Sequence, residues 1–225
     1  MRSPRGRWIA AALAVALSAC AGPGWDDYMD AGYDALQDGR FAEAEELLLT
    51  ALDQTESLAP DDVRHATTRT TLANLYLAQA RHDEAEVLYR QALAVMELVL
   101  GPDHLDLASH LVTMAEFYID QDVYSEAEPL YERAVAIVET ALGREHPDVG
   151  MALAGLGSVY YNQGFLPEAE PLFEQSLVIF EAVLEPDDVR LANVLEDYAA
   201  LLRVTDRGQQ AAEIESRVRA IRAAP

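Results

Sequence analysis

One interval governs this chain. Ala73, Ala115, Gly157 and Ala199 stand 42 residues apart, and so do Tyr76, Tyr118 and Tyr160, and Ala85, Ala127, Ala169 and Ala211. A fixed period of this size means a stacked array of small units, each burying its apolar face against the next. The stretch Thr71 to His104 returns as Thr113 to His146 and again as Gly155 to Asp188. Each copy predicts two amphipathic helices joined by a short turn. Helix A has a small residue (Ala73, Ala115, Gly157, Ala199) where a partner helix approaches closely, and one turn later in the first three of these copies a tyrosine (Tyr76, Tyr118, Tyr160). Helix B has a small residue (Ala85, Ala127, Ala169) and, four residues on along the same face, an aromatic (Tyr89, Tyr131, Phe173). Ala92, Ala134 and Ser176 follow as a further small position.

These letters resemble the tetratricopeptide repeat, and more narrowly the 42-residue variant of kinesin light chains and many bacterial proteins. The marks are an E-A-E-x-L-[YF] start to helix B (Glu84 to Tyr89, Glu126 to Tyr131, Glu168 to Phe173) and the G-x-x-H loops Gly101 to His104 and Gly143 to His146. The resemblance implies an all-α fold, a right-handed superhelical solenoid of about five helix-turn-helix pairs. The pairs would occupy residues 25–60, 61–102, 103–144, 145–186 and 187–225. The first is the least regular copy, with Gly32 at the small position, Ala35 where later copies have Tyr, and Gly39 in the turn. Pro60 ends one pair, and Asp61 or Asp62 can cap the next helix. Pro129 and Pro171 are expected in the first turns of their helices, where a missing N–H costs little. In the last helix Glu215, Arg217, Arg219 and Arg222 replace the apolar stripe, which suggests a solvating cap and a small basic terminus.

The N-terminal residues carry a separate signal. Arg2, Arg5 and Arg7 precede an apolar run of ten residues, Trp8 to Leu17. A stable bilayer span needs about 20 residues, so the run predicts a secretory signal and not a membrane helix. It ends in Leu17-Ser18-Ala19-Cys20, which resembles a bacterial lipobox. That resemblance implies a signal peptide over 1–19, diacylglycerol on the thiol of Cys20, and an acyl chain such as palmitate on the new amino terminus. Cys20 is the single cysteine, so no disulfide competes for it. Residue 21 is Ala, not Asp, and by resemblance to enterobacterial lipoproteins this points to the periplasmic face of the outer membrane. Ala19-Cys20-Ala21 also fits the A-x-A rule of ordinary signal peptidase, which would release a soluble periplasmic protein. Residues 20–24 would form a short tether. Trp25 and Tyr28 could then rest in the membrane interface or cap the core of the first pair.

Composition narrows the partners. Thirty-nine acidic residues face 16 basic ones, all of them Arg, for a formal charge of −23. Phosphate binding needs clustered cations, so nucleic acid is excluded as a partner. Loss of Arg2, Arg5 and Arg7 with the signal would take the charge from −23 to −26. The acidity suits a solvated outer face, and it could also steer a basic partner.

The family resemblance implies a peptide groove lined by helix A. Register puts Thr67, Thr70, Asn74, Leu77 and Ala78 there from the second pair, and Ser109, Val112, Glu116, Ile119 and Asp120 from the third. Met151, Ala154, Ser158, Tyr161 and Asn162 follow from the fourth, and Asn193, Glu196, Ala200 and Arg203 from the fifth. The paired Asn residues with which kinesin light chains hold a peptide backbone are replaced by Thr70-Thr71, Val112-Thr113, Ala154-Gly155 and Glu196-Asp197. An unidentified protein or peptide is the expected partner, docked by a membrane-anchored scaffold or adaptor in the cell envelope. An accessory lipoprotein of an outer-membrane assembly, secretion, pilus or polysaccharide-export machine is the alternative.

No catalytic constellation emerges. His104 and His146 recur at the repeat interval, as a cap or turn contact would. A zinc site needs three or four suitably spaced ligands, which His104, His110, Asp103 and Asp106 do not supply as a recognisable motif. There is no nucleophile elbow, phosphate loop or glycine-rich cofactor turn. The pairs Glu84-Glu86, Glu126-Glu128 and Glu168-Glu170 repeat with the period, as acids favoured at helix N-termini do. The sequence therefore predicts neither an enzyme nor a cofactor.

Overall fold

In the computed structural model, residues 23–223 are described; Cys20 and the lipobox lie outside them. Ten helices follow in pairs: α1 (Trp25–Gln37) and α2 (Phe41–Thr55), α3 (Arg64–Ala78) and α4 (His82–Leu100), α5 (Leu105–Ile119) and α6 (Tyr124–Leu142), α7 (Pro147–Gln163) and α8 (Leu166–Val183), α9 (Val189–Val204) and α10 (Gly208–Arg222). The described residues contain no strand, and the five expected pairs are present. The helices divide between two compact units, one ending at Val99 and one beginning at Leu100.

The small positions act as the periodicity predicts. Ala73, Ala85, Ala115, Ala127, Ala169 and Ala211 are completely buried, and Tyr89, Tyr131 and Phe173 lie in the core with them. The first pair obeys the same rule with a 41-residue step: Gly32, Ala35 and Ala44 align with Ala73, Tyr76 and Ala85. A Cβ on Gly32 would lie 2.8 Å from the Leu48 side chain, so even alanine is too large there.

Helix starts repeat as closely as helix cores. Asp62, His104, His146 and Asp188 occupy equivalent positions, and each accepts a hydrogen bond from the backbone N–H two residues on, at 3.0, 3.2, 3.2 and 2.9 Å. This satisfies one of the donors left over at a helix start. The charges are exchanged between the two types. Asp62 and Asp188 also grip Arg64 and Arg190, whereas His104 and His146 sit beside Asp106 and Asp148. The arginine forks hold both aspartates down at about 2.

Adjacent pairs within a unit are tied by a second periodic contact. The glutamate after the small residue of helix B accepts from the turn of the following pair. Glu45 accepts from Arg81 at 2.8 Å, Glu128 from the Gln163 amide at 3.0 Å, and Glu170 from both guanidinium nitrogens of Arg207. The Arg207 bonds hold the Glu170 carboxyl below its usual range. The Tyr198 hydroxyl joins this seam by donating to Glu174 at 3.0 Å; burial and that bond push it up to about 12.

Three expectations need correction or choice. Pro129 and Pro171 are the sixth residues of α6 and α8, which start at Tyr124 and Leu166, and so lie just beyond the first turn. Trp25 caps the first unit: its indole donates to Thr68 Oγ1 at 2.8 Å and the Arg64 guanidinium stands 5.9 Å from the ring centre. Two cations of the basic C-terminus are paired within the fold, Arg217 with Glu181 and Arg222 with Glu196, and Arg219 stays exposed. The cap itself stands: α10 buries Ala211, Val218 and Ile221 and exposes Gln209, Gln210, Glu213 and Arg219.

Candidate functional site

Helix A must bury one face against its partner, and its other face is left bare. That bare face holds the residues mapped by register, except Ala154, which is buried in the core. In the first unit, Thr67 and Asn74 are exposed and Thr70 and Leu77 half-buried. Thr67 spends its hydroxyl on the Val63 carbonyl at 3.3 Å, and the Asn74 carbonyl oxygen accepts from the Tyr89 hydroxyl. These four side chains are neutral.

The second unit presents a different surface. Ser109, Glu116, Asn162, Asn193, Glu196 and Arg203 are exposed, Val112, Ser158 and Tyr161 are half-buried, and Met151 on α7 is 50 % exposed. Tyr131 of α6 is buried beneath this face, and Gly155 makes room for it. A Cβ at 155 would stand 2.2 Å from Tyr131 Cε1. Burial, and next the Glu116 charge, raise the Tyr131 hydroxyl, which therefore stays protonated. Glu116 is raised by burial and by Asp120, the C-terminal cap residue of α5. In α7, Ser158 donates to Asp197 Oδ2 of α9 at 3.0 Å and Asn162 donates back to the Ser158 carbonyl at 2.8 Å. Burial raises Asp197, partly opposed by the Ser158 bond.

The cations of this face are already taken. Arg203 holds Glu215 through two bonds of 2.6 and 2.8 Å. Arg222 reaches Glu196 at 2.6 and 2.9 Å and Asn193 at 3.1 Å. Register alone missed these partners on α10, although the arginines at 217, 219 and 222 were its most conspicuous feature. It also missed Asp197, whose signal was the substitution of an acid for the Thr or Gly found at that position in the second, third and fourth pairs.

The histidines have structural roles or none in common. His104 and His146 cap α5 and α7; His110 is half-buried on α5, and burial lowers it. Among the described residues no group of three His, Cys, Asp or Glu could hold a metal ion, and no helix is long and apolar enough to cross a membrane.

The tetratricopeptide repeat model matches residues 28–98, 70–138, 106–164 and 148–224, which between them span all five helix pairs. The chain belongs to the tetratricopeptide repeat family. Solved structures agree. BtubC (BKLC) from P. vanneervenii is 22 % identical, with a TM-score of 0.77 over 88 % of this chain and 79 % of that one. A Podosopora anserina kinesin-light-chain protein of nearly identical TPR-like repeats is 26 % identical, with a TM-score of 0.76 over 87 % of this chain and 93 % of that one. YrrB, a TPR protein described as having an unusual peptide-binding site, is 18 % identical, with a TM-score of 0.56 over 87 % of this chain and 84 % of that one. No curated protein matches in sequence. Tetratricopeptide arrays are in general non-catalytic scaffolds for protein–protein contact, and this tetratricopeptide fold is consistent with that role.

Proposed function

We propose that this protein is a non-catalytic adaptor that docks a protein or peptide partner on its bare helix A faces while a lipid on Cys20 holds it to a membrane of the bacterial envelope. The observation that carries the docking reading is the break in burial on helix A. One side of each of these helices repeats the core alphabet, whereas the other varies from pair to pair and stays accessible. A surface selected only for solubility has no need of half-exposed Met151 and Tyr161. YrrB offers a fold-level parallel for peptide binding.

The anchor reading rests on Leu17-Ser18-Ala19-Cys20. Two or three acyl chains give lasting attachment, at about 0.8 kcal/mol per buried methylene. Pro23 accepts from Gln54 at 3.2 Å, so only two residues separate Cys20 from chain fixed to the first unit. The array would therefore stand close to the lipid surface. Intact mass and membrane fractionation of wild type against Cys20→Ser test this. A lipid-sized added mass and loss of membrane association in the variant are expected. A wild type that is soluble and begins after Ala21 would make it a free periplasmic adaptor and remove support from a role in a membrane machine.

A further inference from the structure

We propose that an apolar cleft of the first unit, formed by α2, α3 and α4, takes one acyl chain of the lipid on Cys20 and so holds this unit in one orientation at the membrane. This rests on the anchor reading above and adds a binding site apart from the bare helix A faces.

The cleft encloses about 410 Å³ between Leu49 and Leu52 of α2, Leu72 and Tyr76 of α3, and Val87 and Leu88 of α4. Two of these residues break the repeat. Leu49 stands where the other pairs have Arg90, Glu132, Glu174 and Ser216. Val87 stands where they have Glu46, Pro129, Pro171 and Glu213. The two departures fall on different helices, yet both border this one cleft, and they are 44 % and 55 % exposed. Stacking alone asks for neither, and each gains only when something apolar covers it. The lining favours hydrocarbon over peptide. Its walls are helices, whose backbone groups are bonded along their own axes, so a peptide strand laid there would bury unpaired amides, whereas an acyl chain has none. Asp83 and Glu84, both exposed, complete the lining. They would repel the carboxylate of a free fatty acid but not a chain linked as a neutral ester or amide. The lipid-bearing residue is within reach. Gln54, in the last turn of α2, holds the Pro23 carbonyl on the flank turned away from the cleft, since Gln54 and Leu52 stand about 200° apart round the helix. Cys20 precedes Pro23 by three residues, a reach of about 10 Å. A helix is about 10–12 Å across, so the thiol can pass round the end of α2 and its acyl chain can enter the cleft. The remaining chains stay in the bilayer and keep the attachment.

The test is photolabelling of the full chain in the membranes of cells fed a palmitate analogue with a diazirine near its methyl end. Trypsin then releases residues 20–40 with the lipid, and the cleft as residues 41–64, 70–81 and 82–90. A covalent link between lipidated 20–40 and a cleft peptide is expected. Leu49→Glu/Val87→Glu uses the residue that other pairs carry at each position, so it should keep the helical circular dichroism of wild type. It should lower the link by at least about tenfold, because a carboxylate in the cleft strongly disfavours hydrocarbon beside it. Cleft peptides that carry a phospholipid mass and no link to 20–40 would mean that bilayer lipid fills the cleft, and would overturn the proposal. Lipidated 20–40 linked only to other lipid would overturn it as well. So would unlabelled cleft peptides together with a dimer, seen by sedimentation, that the double variant abolishes, since the occupant is then a second copy. In each of these cases the lipid mass on 20–40 leaves the anchor reading standing. If that mass is absent, the anchor reading and the proposal both fall.

Discussion

Gly155→Ala is the sharpest probe of how the second unit is built. The new methyl would lie 2.2 Å from Tyr131 Cε1 and 2.4 Å from Cζ. Carbon atoms rest at about 3.5–4.0 Å, so the ring or the α7 backbone must move by more than about 1 Å. Tyr131 is 4 % exposed and has little room to swing away. Overpacking of this kind costs about 1–3 kcal/mol, and the close approach puts it near the upper end. Against that, alanine is preferred to glycine inside a helix by about 1 kcal/mol. The net expectation is a loss of about 2 kcal/mol. At about 2–4 °C per kcal/mol for a chain of this size, the melting temperature falls by about 4–8 °C. The assay is urea unfolding followed by far-UV circular dichroism, with thermal melts alongside. In a Tyr131→Leu background the same substitution has no ring to strike and should be neutral or stabilising, a coupling of about 2–3 kcal/mol. Gly208→Ala, with no atom within 4 Å of its new methyl, controls for propensity alone and should not destabilise. A Gly155→Ala protein as stable as wild type, or an equal loss in both backgrounds, would refute the reasoning.

Other expectations follow from the periodic contacts. A double-mutant cycle on Glu170→Ala and Arg207→Ala should give a coupling of about 0.5–1 kcal/mol, the upper range for a forked pair that remains partly open to water; zero coupling would mean the seam is incidental. His146→Ala should cost about 1 kcal/mol by removing the acceptor for the Asp148 N–H, and His146→Asp should restore much of it, as read by urea midpoint. Asp188 is held down at about 2, so its contribution is complete above the ordinary carboxylate range and is lost as pH falls toward 2. Asp188→Asn should therefore destabilise at neutral pH and converge with wild type near pH 2 in acid titrations. Asp197 is raised, which reverses the sign. Its ionised form is penalised at neutral pH, so Asp197→Asn should stabilise there, and the gain should shrink as acid protonates the wild-type carboxyl.

The sequence carried the helices because the features that set them are local and repeated. A small residue that admits a neighbour, an aromatic one turn away and a capping residue at each start all recur within one period. Their agreement at several copies fixes register more firmly than any single propensity could. Even the caps were legible once aligned. Asp62 and Asp188 look unrelated to His104 and His146 by chemistry, yet all four supply an acceptor to the N–H two residues on. The contacts of Tyr131 were not legible in the same way. Gly155 reads as one more helix-weakening glycine until the ring is seen beneath it.

The bare face was harder to read for a physical reason. A core position is constrained by neighbours that repeat with it, so the period reports on it. A groove position answers to a partner outside the chain, and there the period fails. Asn74, Glu116, Ser158 and Ala200 share one register and differ completely in chemistry. Part of that variation is internal bonding across the pair. Tyr89 has an Asn74 carbonyl to receive its proton, Tyr131 lies close enough to Glu116 to feel its charge, and Phe173, with no hydroxyl, leaves Ser158 free to turn to Asp197. Subtracting those pairs leaves the acids that nothing in the fold explains. Asp120 at the C-terminal cap of α5 raises Glu116 further, and burial raises Asp197 despite its bond from Ser158. Burial penalises the charge on Glu116 and on Asp197, so at these two positions the side chain is set by neither the repeat nor the stability of the fold.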